Sequence, residues 1–248
     1  MSRPGSLLIS LKNVAVAYPR RVGFFRVERY WALKNISFDL YGGETLGVIG
    51  RNGVGKSTLL RIMAGIIEPD KGEVIINNVT VSLLSLQAGF IGHLTGRENA
   101  VLSGMMLGLE KKEILSRISE IQDYSGIGDF FDQPVHVYST GMKSRLGFSI
   151  AINIAPDVIL LDEVLGVGDV DFKAKSAKLL QERMRSNETF VLVSHNVNRL
   201  RELCDRVVWI EDGVVIMQGG ANEVLDAYLA EGKRRSGGQS FGGVSERV

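Results

Sequence analysis

The sequence has little of several features that define whole classes of protein. It has one cysteine in 248 residues, Cys204, so no intrachain disulfide can form and the chain suits a reducing compartment. Basic residues (29) nearly balance acidic residues (28), which argues against a protein that binds nucleic acid through bulk positive charge. No uninterrupted apolar run reaches the length of about 18 residues that a membrane span needs.

Glycine, in contrast, is abundant. The chain has 29 glycines, about 12% of its residues, whereas about 7% is usual. They follow no collagen-like period, so we expect them at turns, helix ends and loops that approach a ligand closely. With 45% apolar and 23% charged residues, the composition is that of a globular protein with a sizeable core.

Short apolar runs alternate with stretches of helical periodicity. The runs are typical of parallel strands buried on both faces, and they lie at 45–49, 157–161 and 189–193. Helices are predicted at 56–66, 142–154 and 171–186. This alternation predicts an α/β fold with a parallel sheet.

Two further regions are predicted to surround and interrupt this core. Alternating residues at 7–18 and 36–40 predict strands of an N-terminal antiparallel β subdomain, and helical spacing from 98 to 126 predicts a helical subdomain inserted at about 88–155. The turn Glu211-Asp212-Gly213 predicts a hairpin. We expect one domain over residues 1–232 and a flexible tail over 233–248.

Two basic stretches have alternative interpretations. Residues 20–31 combine four arginines with aromatic residues, which fits either a solvated surface loop with an apolar foot or contact with a membrane surface or anionic headgroup. The cluster Lys233-Arg234-Arg235 fits either a solvated tail or a binding site.

The strongest motif is Gly50-Arg51-Asn52-Gly53-Val54-Gly55-Lys56-Ser57-Thr58, which matches the phosphate-binding pattern G-x-x-x-x-G-K-[ST]. It lies between a predicted strand and a predicted helix, as the pattern requires. Its glycines allow backbone N–H groups to surround nucleotide phosphates. Lys56 is expected to reach the β and γ phosphates, and Ser57 is expected to coordinate Mg²⁺.

Two carboxylates follow the buried run at 157–161. Asp162, at the end of this predicted strand, is placed to hold Mg²⁺ directly or through water. Glu163 is placed to orient or deprotonate the attacking water. Together with the phosphate-binding loop, the pair predicts a site that binds a nucleotide with Mg²⁺ and activates water.

The segment Tyr138-Ser139-Thr140-Gly141-Met142 resembles the signature motif of the ATP-binding cassette (ABC) family, commonly L-S-G-G-Q. Ser139 and Gly141 stand where the family has its serine and final glycine, while Tyr138, Thr140 and Met142 depart from the usual wording. The resemblance implies an ABC nucleotide-binding domain, in which a serine hydroxyl and a helix N-terminus contact the γ phosphate.

The same resemblance assigns two further residues. His195 follows the strand at 189–193, where the family has a histidine that contacts the γ phosphate. Asp169 matches the aspartate of the D-loop, which communicates across a dimer interface, although the usual S-A-L-D wording is absent. His93 and His136 are interpreted as structural.

Two other family positions have less distinct matches. The family stacks adenine on an aromatic residue upstream of the phosphate-binding loop, and Tyr18, Tyr30 and Trp31 are the candidates. Gln87 is the candidate for the Q-loop glutamine, a metal contact, with a spacing to Leu94-Thr95 about one residue shorter than expected.

Within the family, the chain resembles the ATPase subunits of O-antigen, capsule and teichoic acid exporters. The matching words are W-A-L-K-N-I-S-F at 31–38, L-T-G-R-E-N at 94–99, Y-S-T-G-M-K-S-R-L at 138–146 and D-E-V-L-G-V-G-D at 162–169. The resemblance implies the short form, without a C-terminal carbohydrate-binding domain.

This likeness implies a peripheral subunit on the cytoplasmic face of the cell membrane that drives export of a lipid-linked polysaccharide. Two copies would enclose ATP and Mg²⁺ between the loop of one and Ser139–Gly141 of the other, and would act on two copies of a multispan permease. No nucleic acid is implied. The alternatives are an ABC ATPase for another cargo (lipid, drug or peptide), a soluble ABC protein of ribosomes or DNA, and a P-loop small-molecule kinase.

Overall fold

The computed structural model of the chain describes residues 5–23, 26–84, 89–154, 156–162 and 169–237. The strands of this part are β1 Leu7–Val22, β2 Arg26–Tyr41, β3 Thr45–Ile49, β4 Lys71–Ile76, β5 Val81–Leu83, β6 Val158–Asp162, β7 Thr189–Val193, β8 Arg206–Glu211 and β9 Val214–Gly220. The helices are α1 Lys56–Met63, α2 Gly96–Met106, α3 Lys111–Ser125, α4 Thr140–Ile154, α5 Val170–Met184, α6 Val197–Leu203 and α7 Ala221–Gly237. Two 3-10 turns, Gly128–Asp132 and Val135–Val137, precede α4.

The described strands form one mixed sheet in the order β4-β1-β2-β9-β8-β3-β7-β6-β5. Strands β8, β3, β7, β6 and β5 are parallel neighbours. β9 pairs antiparallel with β8, and β1 pairs antiparallel with both β2 and β4. A single parallel pair, Asn35 with Val214, joins the two halves of the sheet. The predicted α/β fold with a parallel core and an antiparallel N-terminal part is confirmed.

The apolar runs form the central strands because both of their faces are covered. All five residues of β3 and of β7 are buried. Neighbouring residues enter different apolar clusters: Val48 packs with β1, β2 and α1, whereas Ile49 packs with residues of α5, α6 and α7. A strand that supports two clusters in this way has no polar alternation, as buried parallel strands generally do not.

Helices α2, α3 and α4 surround a third apolar cluster, which includes Ile114, Ile121, Phe131, Leu146 and Ile150. The predicted continuous helical stretch from 98 to 126 is in fact two helices. The chain turns after Met106, where Gly108 has φ +87°, a conformation that glycine adopts without strain. At the start of α2, Thr95 and Glu98 form a reciprocal capping box.

The basic segment 20–31 differs most from its prediction. It is not a loop: β1 continues past Pro19 to Val22, and β2 begins at Arg26, so the two strands form a long hairpin. Cross-strand pairs such as Tyr18 with Tyr30 continue the register to Val22 opposite Arg26. The described residues of this hairpin from Tyr18 to Tyr30 are exposed, and residues 24–25 lie outside the described part.

The C-terminal helix also differs from its prediction. α7 continues to Gly237, so Lys233-Arg234-Arg235 lie on a helix where the sequence predicted a flexible tail. Arg235 stabilises this end through Glu231, one turn earlier at 2.9 Å, and through Glu211 at 3.1 Å. Residues 238–248 lie outside the described residues. Among the helices that the structure describes, none combines the length and apolarity needed to cross a bilayer.

Candidate functional site

The phosphate-binding loop connects the end of β3 to the start of α1 and needs glycine for two separate reasons. A Cβ atom on Gly50 would lie 2.2 Å from the carbonyl oxygen of Ile210, and one on Gly55 would lie 2.5 Å from that of Ala32. Gly53 has space around it but has φ +83°, and Gly55 has φ +99°. Close backbone approach and left-handed backbone therefore determine the motif's glycines.

Lys56 lies under this loop with its side chain folded back. The residue is 8% exposed, and its Nζ donates hydrogen bonds to the carbonyl oxygens of Gly50 and Arg51, both at 2.9 Å. No side chain caps the N-terminus of α1, which begins directly after Gly55. The helix end and the lysine together concentrate positive charge at the loop, as binding of an anion requires.

The loop forms one wall of a cleft of ≈ 410 Å³. The residues that line it are Tyr18, Tyr30, Ala32, Asn52, Gly53, Gly55, Lys56, Ser57, Thr58 and Asp162. Most of the site residues predicted from the loop and from β6 are thus brought together in one place. The volume lies within the usual range for small-molecule sites, about 300–1,000 Å³.

Two of the three aromatic candidates lie in this cleft. The hydroxyl groups of Tyr18 and Thr58 are 3.4 Å apart, and the Tyr30 hydroxyl donates to the carbonyl oxygen of Gly53 at 3.3 Å. Trp31 lines a neighbouring cleft instead, and Lys71 Nζ lies 5.1 Å from its ring centroid. Trp31 is therefore the least suitable of the three to contact a base bound beside the loop.

The donors in the cleft fit a nucleotide with Mg²⁺. The Ser57 hydroxyl and the Asp162 carboxylate belong to the same cleft and are oxygen ligands of the kind Mg²⁺ prefers. Within the described residues, no group of three or more His, Cys, Asp or Glu side chains forms a metal site. In nucleotide sites, Mg²⁺ is usually held by one or two protein ligands together with phosphate and water.

Asp162 and His195 follow neighbouring parallel strands. Asp162 ends β6 and pairs with Val193, the last residue of β7, and His195 follows two residues later. Both strand ends lie at the edge of the sheet where the loop follows β3. His195 is exposed and does not line the cleft, whereas Asp162 does. Glu163 and Gln87 lie outside the described residues.

Ser139 and Gly141 lie at the N-terminus of α4. Ser139 caps this helix, because its Oγ accepts a hydrogen bond from the Met142 N–H at 3.2 Å. Tyr138, where the family usually has leucine, is buried and donates its hydroxyl to the carbonyl oxygen of Phe130. Burial raises the pKa of Tyr138 above its ordinary value. Neither Ser139 nor Gly141 lines the cleft of its own chain.

Asp169 lies at the start of α5 rather than in the cleft. Its carboxylate accepts the Phe172 N–H at 3.0 Å, which caps the helix, and forms an ion pair with Arg145 of α4. Arg145 has no role that its sequence position alone predicts. Arg145 follows the signature motif closely in sequence, but its pairing with Asp169, 24 residues later, is visible only in the fold.

A buried carboxylate beside the loop was also missed. Glu211 is 6% exposed and pairs with Arg235 at 3.1 Å, while Arg51 of the loop is 4.0 Å from it. The Trp209 indole N–H is 3.4 Å from the same carboxylate. From sequence, Glu211 had only the properties of a turn residue.

The glycine-defined loop, the buried lysine beneath it and the strand-end aspartate across the cleft define a P-loop nucleotide-binding protein. The family model for the ABC transporter family matches residues 33–166. The chain belongs to the ABC transporter family and carries its ATP-binding, ATPase domain.

Curated relatives include exporter subunits from different bacteria. The chain is 42% identical over 214 residues to the O-antigen export system ATP-binding protein RfbB of Klebsiella pneumoniae, with 86% of this chain and 87% of RfbB covered. It is 43% identical over 203 residues to the teichoic acids export ATP-binding protein TagH of Listeria monocytogenes serotype 4b, with 82% of this chain and 60% of TagH covered.

Solved structures agree with this assignment. A dimeric post-hydrolysis structure of the ATP-binding cassette MJ0796, bound to ADP and Pi, has a TM-score of 0.69 and 26% identity, with 86% of this chain and 99% of that chain covered. An ATP-binding subunit of an ABC transporter has a TM-score of 0.71 at 22% identity, with 89% and 93% covered, which shows the shared fold.

Proposed function

We propose that this chain is the ATP-hydrolysing subunit of an ABC exporter that moves a lipid-linked polysaccharide of the O-antigen, capsule or teichoic acid type. The observation that carries the ATPase part is the cleft that unites Lys56, Ser57 and Asp162. The polysaccharide cargo is supported by the identity of 42% to an O-antigen export subunit across most of both chains, and by the teichoic acid export relatives.

The following roles are proposed for the residues of the cleft and its surroundings. Lys56 and the N-terminus of α1 bind the phosphates, and Ser57 and Asp162 hold Mg²⁺, which neutralises phosphate charge when bound. Tyr18 stacks on the adenine, and Tyr30 lines the same cleft. Glu163, the next residue after Asp162, is the proposed base for the attacking water, and His195 at the end of the neighbouring strand contacts the γ phosphate.

A second copy completes the site in this proposal. Ser139 and Gly141 do not line their own cleft and lie at the start of α4 on the helical subdomain, and we propose that they contact the nucleotide of another copy. The N-terminus of α4 adds a favourable partial positive charge there. The dimeric ABC cassette with 26% identity supports this arrangement. Nucleotide that contacts both copies stabilises the closed dimer relative to the open state.

The membrane partner is a pair of multispan permease subunits, and the chain lies peripherally on the cytoplasmic face of the membrane. The names of the curated relatives, which are subunits of export systems, support this placement. The residues around Gln87–Asn99 are the proposed contact with the permease. The exposed residues 20–22 and 26–30, which pair across β1 and β2 and include arginines on both strands, are the proposed contact with an anionic headgroup near the cargo entry.

The cargo is tested by deletion of the gene in its own organism and by identification of the lipid-linked glycan that accumulates inside the cell. We expect accumulation that wild-type protein relieves and that Lys56→Met, which removes the phosphate-binding cation, does not. Accumulation of a lipid, drug or peptide without any glycan would contradict the polysaccharide cargo while leaving the ATPase assignment in place.

A further inference from the structure

Arg145 connects the helical subdomain to the start of α5. It lies on α4, six residues after Ser139, and its side chain is 26% exposed. Its guanidinium pairs with the Asp169 carboxylate and lies 5.4 Å from the centroid of the Phe172 ring. One side chain of α4 therefore contacts both the cap of α5 and the first turn of that helix.

Asp169 is held by two contacts at once. Its carboxylate accepts a hydrogen bond from the backbone N–H of Phe172 and forms an ion pair with Arg145. The carboxylate therefore cannot move away from α4 without loss of either its ion pair or its helix cap. An arginine is well suited to this role, because its planar group can pair with a carboxylate and lie over a ring simultaneously.

Apolar contacts beneath this ion pair hold the two helices together independently of it. The ring of Phe172 packs edge-on against Phe148 of α4 at 5.8 Å and against Tyr124 of α3 at 5.8 Å. Asp169 has a side chain that is 53% exposed, so its pair with Arg145 is partly screened by water and contributes little to folding. We therefore expect the ring cluster to contribute more to stability than the ion pair does.

We propose that Arg145 is a positioning residue of the two-copy ATPase: through Asp169 it holds the signature end of α4 and the start of α5 in one fixed relation. Ser139, the proposed contact with a partner's nucleotide, caps α4, and Asp169 follows Asp162 of the nucleotide cleft by seven residues. The inference rests on the proposed closure of Ser139 and Gly141 onto a partner's nucleotide. It adds that each copy presents the signature and the start of α5 as a single unit.

The test uses the purified full chain and four variants: Arg145→Met, Arg145→Lys, Asp169→Asn and the double variant Arg145→Met with Asp169→Asn. We expect Arg145→Met to lower kcat about tenfold with KM for ATP within about twofold, because the nucleotide cleft itself is unchanged. Arg145→Lys should recover part of kcat, because an ammonium group can still pair with Asp169. The double variant should be no slower than the worse single variant, because both remove the same interaction.

Arg117→Met is the matched control. Arg117 donates hydrogen bonds to the carbonyl oxygens of Asn153 and Ile154 at the other end of α4, at 3.0 and 2.8 Å, and pairs with Glu113. It therefore holds the end of α4 opposite to the signature, through hydrogen bonds that involve α3 and α4. We expect this variant to lower the melting temperature at least as much as Arg145→Met does, with kcat within about twofold of wild type.

A second measurement separates positioning from turnover. In a Glu163→Gln background, we expect Arg145→Met to raise about tenfold the protein concentration needed for half-maximal dimer formation with ATP, with nucleotide binding to the monomer unchanged. Either of two results would overturn this inference alone. One is that Arg145→Met matches Arg117→Met in kinetics and dimerisation, and the other is that the loss of kcat in the double variant equals the product of the losses in the two single variants. A wild-type chain that hydrolyses no ATP and a Glu163→Gln chain that forms no dimer would overturn the proposed function as well.

Discussion

Alanine at Gly53 and at Gly55 separates the two reasons for glycine in the phosphate-binding loop. Both residues have positive φ, +83° and +99°, so alanine at either position is strained in the backbone. Only Gly55 is also crowded: its Cβ would lie 2.5 Å from the carbonyl oxygen of Ala32, whereas a Cβ on Gly53 would have no neighbour within 4 Å. The two variants therefore share one cost and differ in the other.

The shared cost is the left-handed conformation of an L-residue, about 1–2 kcal/mol. In a domain of 150–250 residues, about 1 kcal/mol lowers Tm by roughly 2–4 °C, so Gly53→Ala should lower Tm by about 2–8 °C. Because its loop need not move, hydrolysis should fall less than about tenfold, the equivalent of roughly 1.4 kcal/mol.

Gly55→Ala causes the same backbone strain and also forces the phosphate-binding loop to shift. To reach an ordinary contact of 3.4 Å with the Ala32 oxygen, the loop has to shift by about 0.9 Å. Lys56 is the next residue, so the shift displaces the phosphate-binding cation directly. A displacement of about 1 Å at a reacting centre costs on the order of 100-fold in rate, and we expect a loss of that size.

The assay is steady-state ATP hydrolysis together with thermal unfolding in the absence of nucleotide. A loss in Gly55→Ala at least ten times that in Gly53→Ala would agree with the crowding at Ala32. Equal losses in the two variants would refute the reasoning, because strain at positive φ would then account for both.

Three further predictions concern residues around and beyond the cleft. Tyr18→Ala should weaken ATP binding about 2- to 12-fold, the equivalent of roughly 0.5–1.5 kcal/mol for an aromatic contact, while Trp31→Ala, outside the cleft, should change the affinity less than twofold. Equilibrium binding of a fluorescent ATP analogue measures both affinities, and a larger effect of Trp31→Ala would contradict the geometry. Glu211→Ala should lower the free energy of unfolding by about 1–3 kcal/mol, because it removes the buried partner of Arg235, whereas Glu28→Ala, in an exposed pair with Arg26, should lower it by less than about 1 kcal/mol. Urea unfolding measures both free energies, and equal losses would contradict the role of burial. Burial raises the pKa of the Cys204 thiol from 9.0 to about 12, so between these pH values the folded state keeps this proton while the unfolded state releases it. Wild type should therefore lose stability relative to Cys204→Ala as pH rises from 9.0 towards 12, and parallel urea titrations that show no such loss would contradict the burial of this thiol.

The elements that sequence could predict are those determined by local pattern. The run Thr45–Ile49 and the run Thr189–Val193 form strands with those bounds, because a segment buried on both faces is apolar throughout. The phosphate-binding loop was predictable because its glycines, lysine and serine act within nine consecutive residues.

The elements that sequence mispredicted depend on long-range pairing. Residues 20–31 have the composition of a solvated loop, whereas the cross-strand register of β1 with β2 makes residues 20–22 and 26–31 paired strands. At the end of α7, Arg235 pairs with Glu231 of the same helix and with Glu211 of β8, 24 residues earlier, and the second of these contacts has no local sequence signal.

The candidate site divides in the same way. Lys56, Ser57 and Asp162 were predicted from motif and strand position and line one cleft. The pairing of Arg145 with Asp169 joins residues from two helices and carries no local signal. Ser139 is proposed to contact nucleotide bound to another copy. The pattern of a single chain could therefore place Ser139 at the start of α4, but it could not give the distance from Ser139 to that nucleotide.

The claim that the active site is shared between two copies is tested most directly by mixing two defective chains. Lys56→Met disables the phosphate-binding loop and leaves α4 intact, while Ser139→Arg obstructs the N-terminus of α4 and leaves the loop intact. Each purified variant alone should hydrolyse almost no ATP. A mixture should regain hydrolysis, because a dimer of the two retains one site built from the intact loop of the Ser139→Arg chain and the intact α4 of the Lys56→Met chain. A mixture that stays as inactive as its components, or a Ser139→Arg chain that is fully active by itself, would contradict the shared site.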